Sequence, residues 1–200
     1  MLPEYFALIG IGVNAIGAVS YLIDTLRGRV IPNRVTWFLW ALAPMVAFFA
    51  QINQGVGVQS LLTFSIGFLP ALIVIASLFN KKAVWQIHRF DLICAGFSLI
   101  GLMLWQITKV GDLAIFFSIV ADLFAGIPTI YKAYHSPQTE SFRAFFLGVI
   151  GALLVVLTIK EWSFGVAAFS VYFLLSNLTI SILIFTKIGA KKNHSSKSDS

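Results

Sequence analysis

LAIFFSIVADLFAGIPTIYKAY, residues Leu113–Tyr134, is the stretch on which the reading of this chain turns. From Leu113 to Tyr131 it carries a single charge, Asp122, before Lys132 closes it. A helix needs about 20 apolar residues to cross the hydrocarbon layer of a bilayer, so the run has the length and character of one membrane span. Working outward, six further runs of the same kind are read at Tyr5–Leu26, Val35–Gln51, Val56–Phe79, Leu92–Thr108, Phe142–Ile159 and Phe164–Thr186. Segments of about ten residues alternating apolar and polar, the mark of a membrane β-barrel, do not occur.

Composition agrees. Of the 200 residues 58% are hydrophobic and 11% charged, and the mean hydropathy is +0.90. A soluble domain is about one quarter charged, and a chain this short has no core large enough to hide the surplus of apolar side chains. The expected fold class is therefore an all-α membrane protein of seven transmembrane helices. The first run lacks a basic leader and a small-residue cleavage site, so it reads as a retained helix. Cys94 is the single cysteine, and His88, His135 and His194 are scattered, so neither a disulfide nor a metal site is expected. No cofactor is expected either.

The 14 Lys and Arg residues divide unevenly between the gaps. Arg27, Arg29, Arg34, Lys81, Lys82, Arg89, Lys132, Arg143, Lys187, Lys191, Lys192 and Lys197 fall on one side, and Lys109 and Lys160 on the other. Basic loops stay in the cytoplasm, which sets the N-terminus outside and the C-terminus inside. The net charge of +6 thus reads as topology, and no nucleic-acid partner is expected. Residues 189–200, rich in Ser and Lys, read as a disordered cytoplasmic tail.

The span lengths and two connecting segments divide the chain into residues 1–80, a first three-helix repeat; 81–110, a linker with the fourth helix; and 111–188, a second three-helix repeat. Pro32-Asn33-Arg34-Val35-Thr36-Trp37 enters the second span, and Pro137-Gln138-Thr139-Glu140-Ser141-Phe142 enters the sixth. Upstream, Asn14 with Gly17 and Ala18 aligns with Asp122, Ala125 and Gly126. Two odd-numbered units joined by one helix point the same way, a parallel-repeat plan (3+1+3) used by some transporters, with the substrate site between the halves.

The segment from Ala121 to Lys132 followed by Ser136-Pro137-Gln138-Thr139-Glu140-Ser141 resembles the PQ-loop motif, which marks the superfamily of the SWEET sugar transporters, their bacterial half-size relatives and lysosomal proton-coupled exporters. The resemblance implies seven helices in a 3+1+3 arrangement and alternating access, with Pro137 and Gln138 as the motif residues. Some proton-coupled relatives carry an Asp in this helix, which is what the resemblance implies for Asp122. The first half departs from the pattern, with Asn33 in place of Gln and Ser20 where the fifth span has Pro128. SWEET-like sugar pockets pair Trp on the second helix of each half with Asn on the third. Here Trp37 and Trp40 lie on the second span but the sixth offers Phe142 and Phe145 in their place, and Asn177 has no counterpart in the third span, which weighs against a sugar.

An ionised Asp at the bilayer centre costs roughly 2.5–3.5 kcal/mol on insertion scales, so Asp122 is expected to face protein or a wet cavity. Ser118, Asp122, Ala125, Gly126 and Thr129 share one helical face, as do Gly10, Asn14, Gly17, Ala18 and Tyr21 in the first span. Asn14, Asp122 and Asn177 fall at similar depth and are expected to converge. The candidate substrate-binding residues are Asn14, Ser118, Asp122, Asn177, Trp37 and Trp40, with Asp122 the candidate proton carrier. The plainer alternative is a protonated Asp122 bonded to Asn14 or Asn177 as a link between helices. Pro128 and Pro44 are candidate hinges or static kinks. Trp37 and Trp40 serve equally well as interfacial belt residues, and Trp85, Trp105 and Trp162 read as belt. Asp24 is expected to pair with Arg27 or Lys132.

The function expected is transport of a small polar solute across the cell membrane by alternating access, coupled or not to protons. The partners are the bilayer, that solute and protons, with homo-oligomerisation open. A PQ-loop-type receptor or sorting protein that binds without moving its ligand is the alternative. An enzyme is not expected, since no catalytic Ser/His pair or paired carboxylates occur at membrane depth.

Overall fold

The computed structural model describes residues 1–80, 86–108 and 111–189. It contains seven α-helices: α1 (Tyr5–Leu26), α2 (Arg34–Asn53), α3 (Ser60–Phe79), α4 (Arg89–Thr108), α5 (Gly111–His135), α6 (Phe142–Val156) and α7 (Phe164–Thr186). There is no strand among the described residues. Five of the helices (α1, α2, α3, α5 and α7) are long and apolar enough to cross a membrane. Their outward faces expose large apolar side chains such as Leu8, Ile16, Phe68, Ile75, Phe116 and Leu175. Water tolerates such continuous apolar surface poorly, and lipid is its natural solvent. Lys81, Lys82, Trp85, Lys109 and the expected disordered tail from residue 190 onward lie outside the described residues. Gly189, expected to begin that tail, is instead buried against Tyr134.

Local chemistry sets the helix ends. The Asn33 side chain accepts from the backbone N–H groups of Val35 (3.1 Å) and Thr36 (3.4 Å), which starts α2. Ser163 does the same for α7 through Val166. At α4 the Asp91 carboxylate reaches back to the His88 N–H at 2.8 Å, half of a capping box.

Two helices are shorter than the sequence reading, while α2, α4 and α5 run slightly beyond theirs. The third helix begins at Ser60, not Val56, because the chain reverses through Gly55 at φ +75° and the Val56 N–H turns back to the Gln51 carbonyl. The sixth ends at Val156, not Ile159. There the last turn tightens, the Thr158 N–H donating to the Val155 carbonyl at 3.0 Å and the Ile159 N–H to the Val156 carbonyl at 3.2 Å, and the Leu2 N–H takes the Leu157 carbonyl at 2.9 Å. At 15 residues α6 is about 22 Å long, short of the ~30 Å hydrocarbon layer.

The packing order is regular. α3 stands between α1 and α2, and α7 stands between α5 and α6. α1 lies along α6, and α2 lies along α5. α4 leans on α5 from outside with a smaller contact to α2. The α1–α6 contact is backbone on backbone: a Cβ on Gly10 would fall 2.5 Å from the Gly151 carbonyl, one on Gly151 2.5 Å from the Gly10 carbonyl, and one on Gly17 2.8 Å from that of Ala144. Small residues let membrane helices approach this closely. The small face of α1 is therefore divided, with its glycines spent on α6 and Asn14 and Tyr21 left for the interior.

Gly151→Leu is expected to destabilise the purified protein by about 1–3 kcal/mol through overpacking. Gly12→Leu, at a position with nothing within 4 Å, is expected to leave the melting temperature unchanged. Equal melting temperatures for the two variants would contradict this packing.

Candidate functional site

Residues Asn14 and Tyr21 lie two turns apart on one face of α1, and α2, α3, α5, α6 and α7 each turn side chains toward them. Between them is a cavity of about 70 Å³, room for a few waters or a small solute. Asn14, Asp122, Asn177, Trp37 and Trp40, five of the six residues singled out from sequence, all line it. Ser118 is buried on α5 but does not line the cavity. Pro44 and Pro128 also lie off it, inside unbroken helices, where they free the carbonyls of Trp40 and Phe124 from the usual helical bond. Pro137 is buried in a 3₁₀ turn, Pro137–Thr139, and Gln138 is exposed.

Asp122 is 4% exposed. Its Oδ2 accepts from the Tyr172 hydroxyl at 2.6 Å, and its Oδ1 is buried with no hydrogen-bond partner. The partner is thus a tyrosine of α7, not Asn14 or Asn177. Trp40 donates its indole N–H to the Asp122 backbone carbonyl at 3.2 Å, and the ring fits because Gly126 has no side chain; a Cβ there would meet it at 3.2 Å. Asn14 donates to the Ser65 hydroxyl at 3.2 Å, and Ser65 donates to the Leu62 carbonyl at 2.8 Å. Asn177 donates to the Phe173 carbonyl at 2.9 Å while its Oδ1 overlies Gly148, where a Cβ would come within 2.5 Å.

Aromatic rings close one end of the cavity. Tyr21 packs on Trp37 at 4.4 Å between centroids, Trp37 meets Trp40 edge-on at 5.2 Å, and Phe145 adjoins both Tyr21 and Trp40. Beyond the rings lies a buried ion pair. Lys132 Nζ is 2.7 Å from Glu140 Oε1, and neither side chain exposes any surface. The Tyr21 hydroxyl donates to Glu140 Oε2 at 2.8 Å, and Lys132 also donates to the Ile31 carbonyl. The Ile31 N–H donates to the Thr139 carbonyl at 3.2 Å. The pair ties α5 and the turn after it to α1 and to the loop before α2. Asp24 accordingly pairs with neither Arg27 nor Lys132 but with Arg29, at 3.6 Å, since Lys132 is held by a nearer carboxylate.

Glu140 and Tyr172 were not singled out from sequence. Glu140 left a signal, as the one acid in a connection that is otherwise basic, eight residues beyond Lys132. Tyr172 left none, being one of several aromatics in α7. Among the described residues no group of three or more His, Cys, Asp or Glu side chains is arranged to hold a metal ion. No protein-family model, curated protein or solved structure matches the chain.

Lys132→Met alone strands the Glu140 charge in the interior and is expected to cost about 3–5 kcal/mol of stability. Adding Glu140→Gln is expected to recover most of that loss in thermal unfolding of the purified protein. A double variant as unstable as the single one would show that charge burial is not the cause.

Proposed function

We propose that the chain is a multi-pass transporter of the cell membrane, a relative of the PQ-loop proteins, that moves a small polar solute by alternating access. The single observation that carries this reading is the buried Asp122 carboxyl lining a cavity shared by helices from both halves of the chain, beside Asn14 and Asn177. The halves are two like-oriented three-helix units, α1–α3 and α5–α7, joined by α4. The packing supports that division. In each unit the third helix stands between the first two, and the first helix of each lies along the second helix of the other. That is the pattern a two-fold axis along the membrane normal would produce, and such repeats carry substrate sites at their interface.

In this reading the N-terminus is outside, so the rings around Trp37 and the Lys132–Glu140 pair close the cytoplasmic end of the cavity. Transport alternates between that closed end and an opening there, made as α5 and its following turn part from α1. Asp122 carries the coupled proton. A carboxyl at this depth can take up or release a proton as the cavity opens to one side of the membrane or the other.

Two experiments test this. Single cysteines at Asn53 and Ser163 are expected to react with an impermeant maleimide from outside intact cells, and cysteines at Arg29 and Ser136 only after permeabilisation; the opposite pattern would overturn the orientation. A thermal-shift screen identifies a bound solute, and liposomes holding the protein are then expected to accumulate it under a pH gradient. Asp122→Asn should abolish gradient-driven accumulation. Normal accumulation by that variant removes Asp122 as the proton carrier, and solute binding with no uptake by the wild type identifies a receptor instead.

A further inference from the structure

The cavity's hydrogen-bonding groups are unequally spent. The hydroxyl hydrogens of Tyr172 and Ser65 and the indole hydrogen of Trp40 are committed to Asp122 Oδ2, the Leu62 carbonyl and the Asp122 carbonyl. Both amides are oriented by their partners. The Ser65 hydroxyl donates to a carbonyl, so Asn14 must present its NH₂ to Ser65, and Asn177 presents its NH₂ to the Phe173 carbonyl. Three oxygens are left with no donor from these contacts: Asp122 Oδ1 and the amide oxygens of Asn14 and Asn177. Of these, Asp122 Oδ1 is buried and wholly without a partner.

Charge points the same way. Among the described residues that line the cavity, Asp122 is the one acidic side chain, and there is no Lys, Arg or His. A buried carboxylate without a counter-charge is expensive. The same cavity is lined by the aromatic side chains of Tyr21, Trp37, Trp40, Phe145 and Phe173, and aromatic rings attract cations through their electron-rich faces.

From this we infer that the solute is a small organic monocation, an ammonium compound without a carboxylate, whose nitrogen donates to Asp122 Oδ1 and the amide oxygens. An ammonium group has three donors and no acceptor, which complements the free oxygens. A carboxylate on the solute would face Asp122 with no cation to pair with, which excludes zwitterionic amino acids. A neutral polyol would leave the charge on Asp122 uncompensated. This inference rests on the transport reading of the same cavity, and in it the solute and the coupled proton share one carboxylate.

Ethanolamine, ethylene glycol and glycine test it, as an ammonium alcohol, its neutral analogue and its zwitterionic analogue of similar size, with 3-aminopropanol as a larger cation. Binding of each to the purified wild-type protein is measured calorimetrically, and uptake is measured in liposomes. Ethanolamine or 3-aminopropanol is expected to bind at least tenfold more tightly than ethylene glycol or glycine, and Asp122→Asn to remove that preference. Should Asp122→Asn fail to fold, the ranking of the four probes on the wild type decides. Equal binding of glycine or ethylene glycol, or no binding of either cation, overturns the inference. Cation binding without uptake upholds the cation site and rejects transport, while uptake of the neutral probe without cation binding does the reverse.

Discussion

Hydrocarbon offers no hydrogen bonds, so every polar group within these helices must find its partner inside the bundle. Much of the structure follows from that constraint. Asp122, Asn14 and Asn177 turn from the apolar outer faces and gather around one cavity, each using part of its hydrogen-bonding capacity on a neighbouring helix or on its own backbone. The backbone obeys the same rule. Asn33 and Ser163 serve the first turns of α2 and α7, and Leu2 serves the Leu157 carbonyl just past the end of α6. Lys132 and Glu140, the side chains most costly to bury, are satisfied together by each other, by Tyr21 and by the Ile31 carbonyl.

The α1–α6 and α2–α5 contacts are built differently. Along α1 and α6 the backbones touch across Gly10 and Gly151, and little but main chain separates the helices. Along α2 and α5 a tryptophan is wedged between them, Trp40 filling the notch at Gly126 and bonding the carbonyl above it. A narrow seam beside a wide one leaves a hollow between, and the cavity occupies it. α6 contributes Phe145 and Ala144 to its wall but no polar group; through the bare surface of Gly148 it decides where the Asn177 amide sits.

Much of this was legible in the sequence because hydropathy and small-residue spacing act locally. The seven apolar runs correspond to the seven helices among the described residues, and Asn14, Asp122 and Asn177, at similar depth in their runs, line one cavity. What escaped depended on partners distant in the chain. No local pattern says that Leu2 will take the carbonyl just past the end of α6, or that Lys132 will prefer Glu140 to Asp24. Tyr172 could not be told from its aromatic neighbours, since what distinguishes it is which way α7 is rotated against α5. The glycines of α1 looked like part of a polar stripe, and only the position of α6 separates those used for contact from the residues that face the hollow.

The sheltered Lys132–Glu140 contact has a property that the rings beside it lack. Attraction between opposite charges falls as the surrounding dielectric rises, to about 1 kcal/mol for a pair 4 Å apart in bulk water. The bond is strongest while dry, and the first molecules of water to reach it weaken the force that was keeping them out. A greasy seal loosens in proportion to the surface it uncovers; an ionic one hidden this deeply lets go all at once. The end of the bundle that it fastens therefore has a built-in threshold, resisting small displacements and yielding abruptly to a large one.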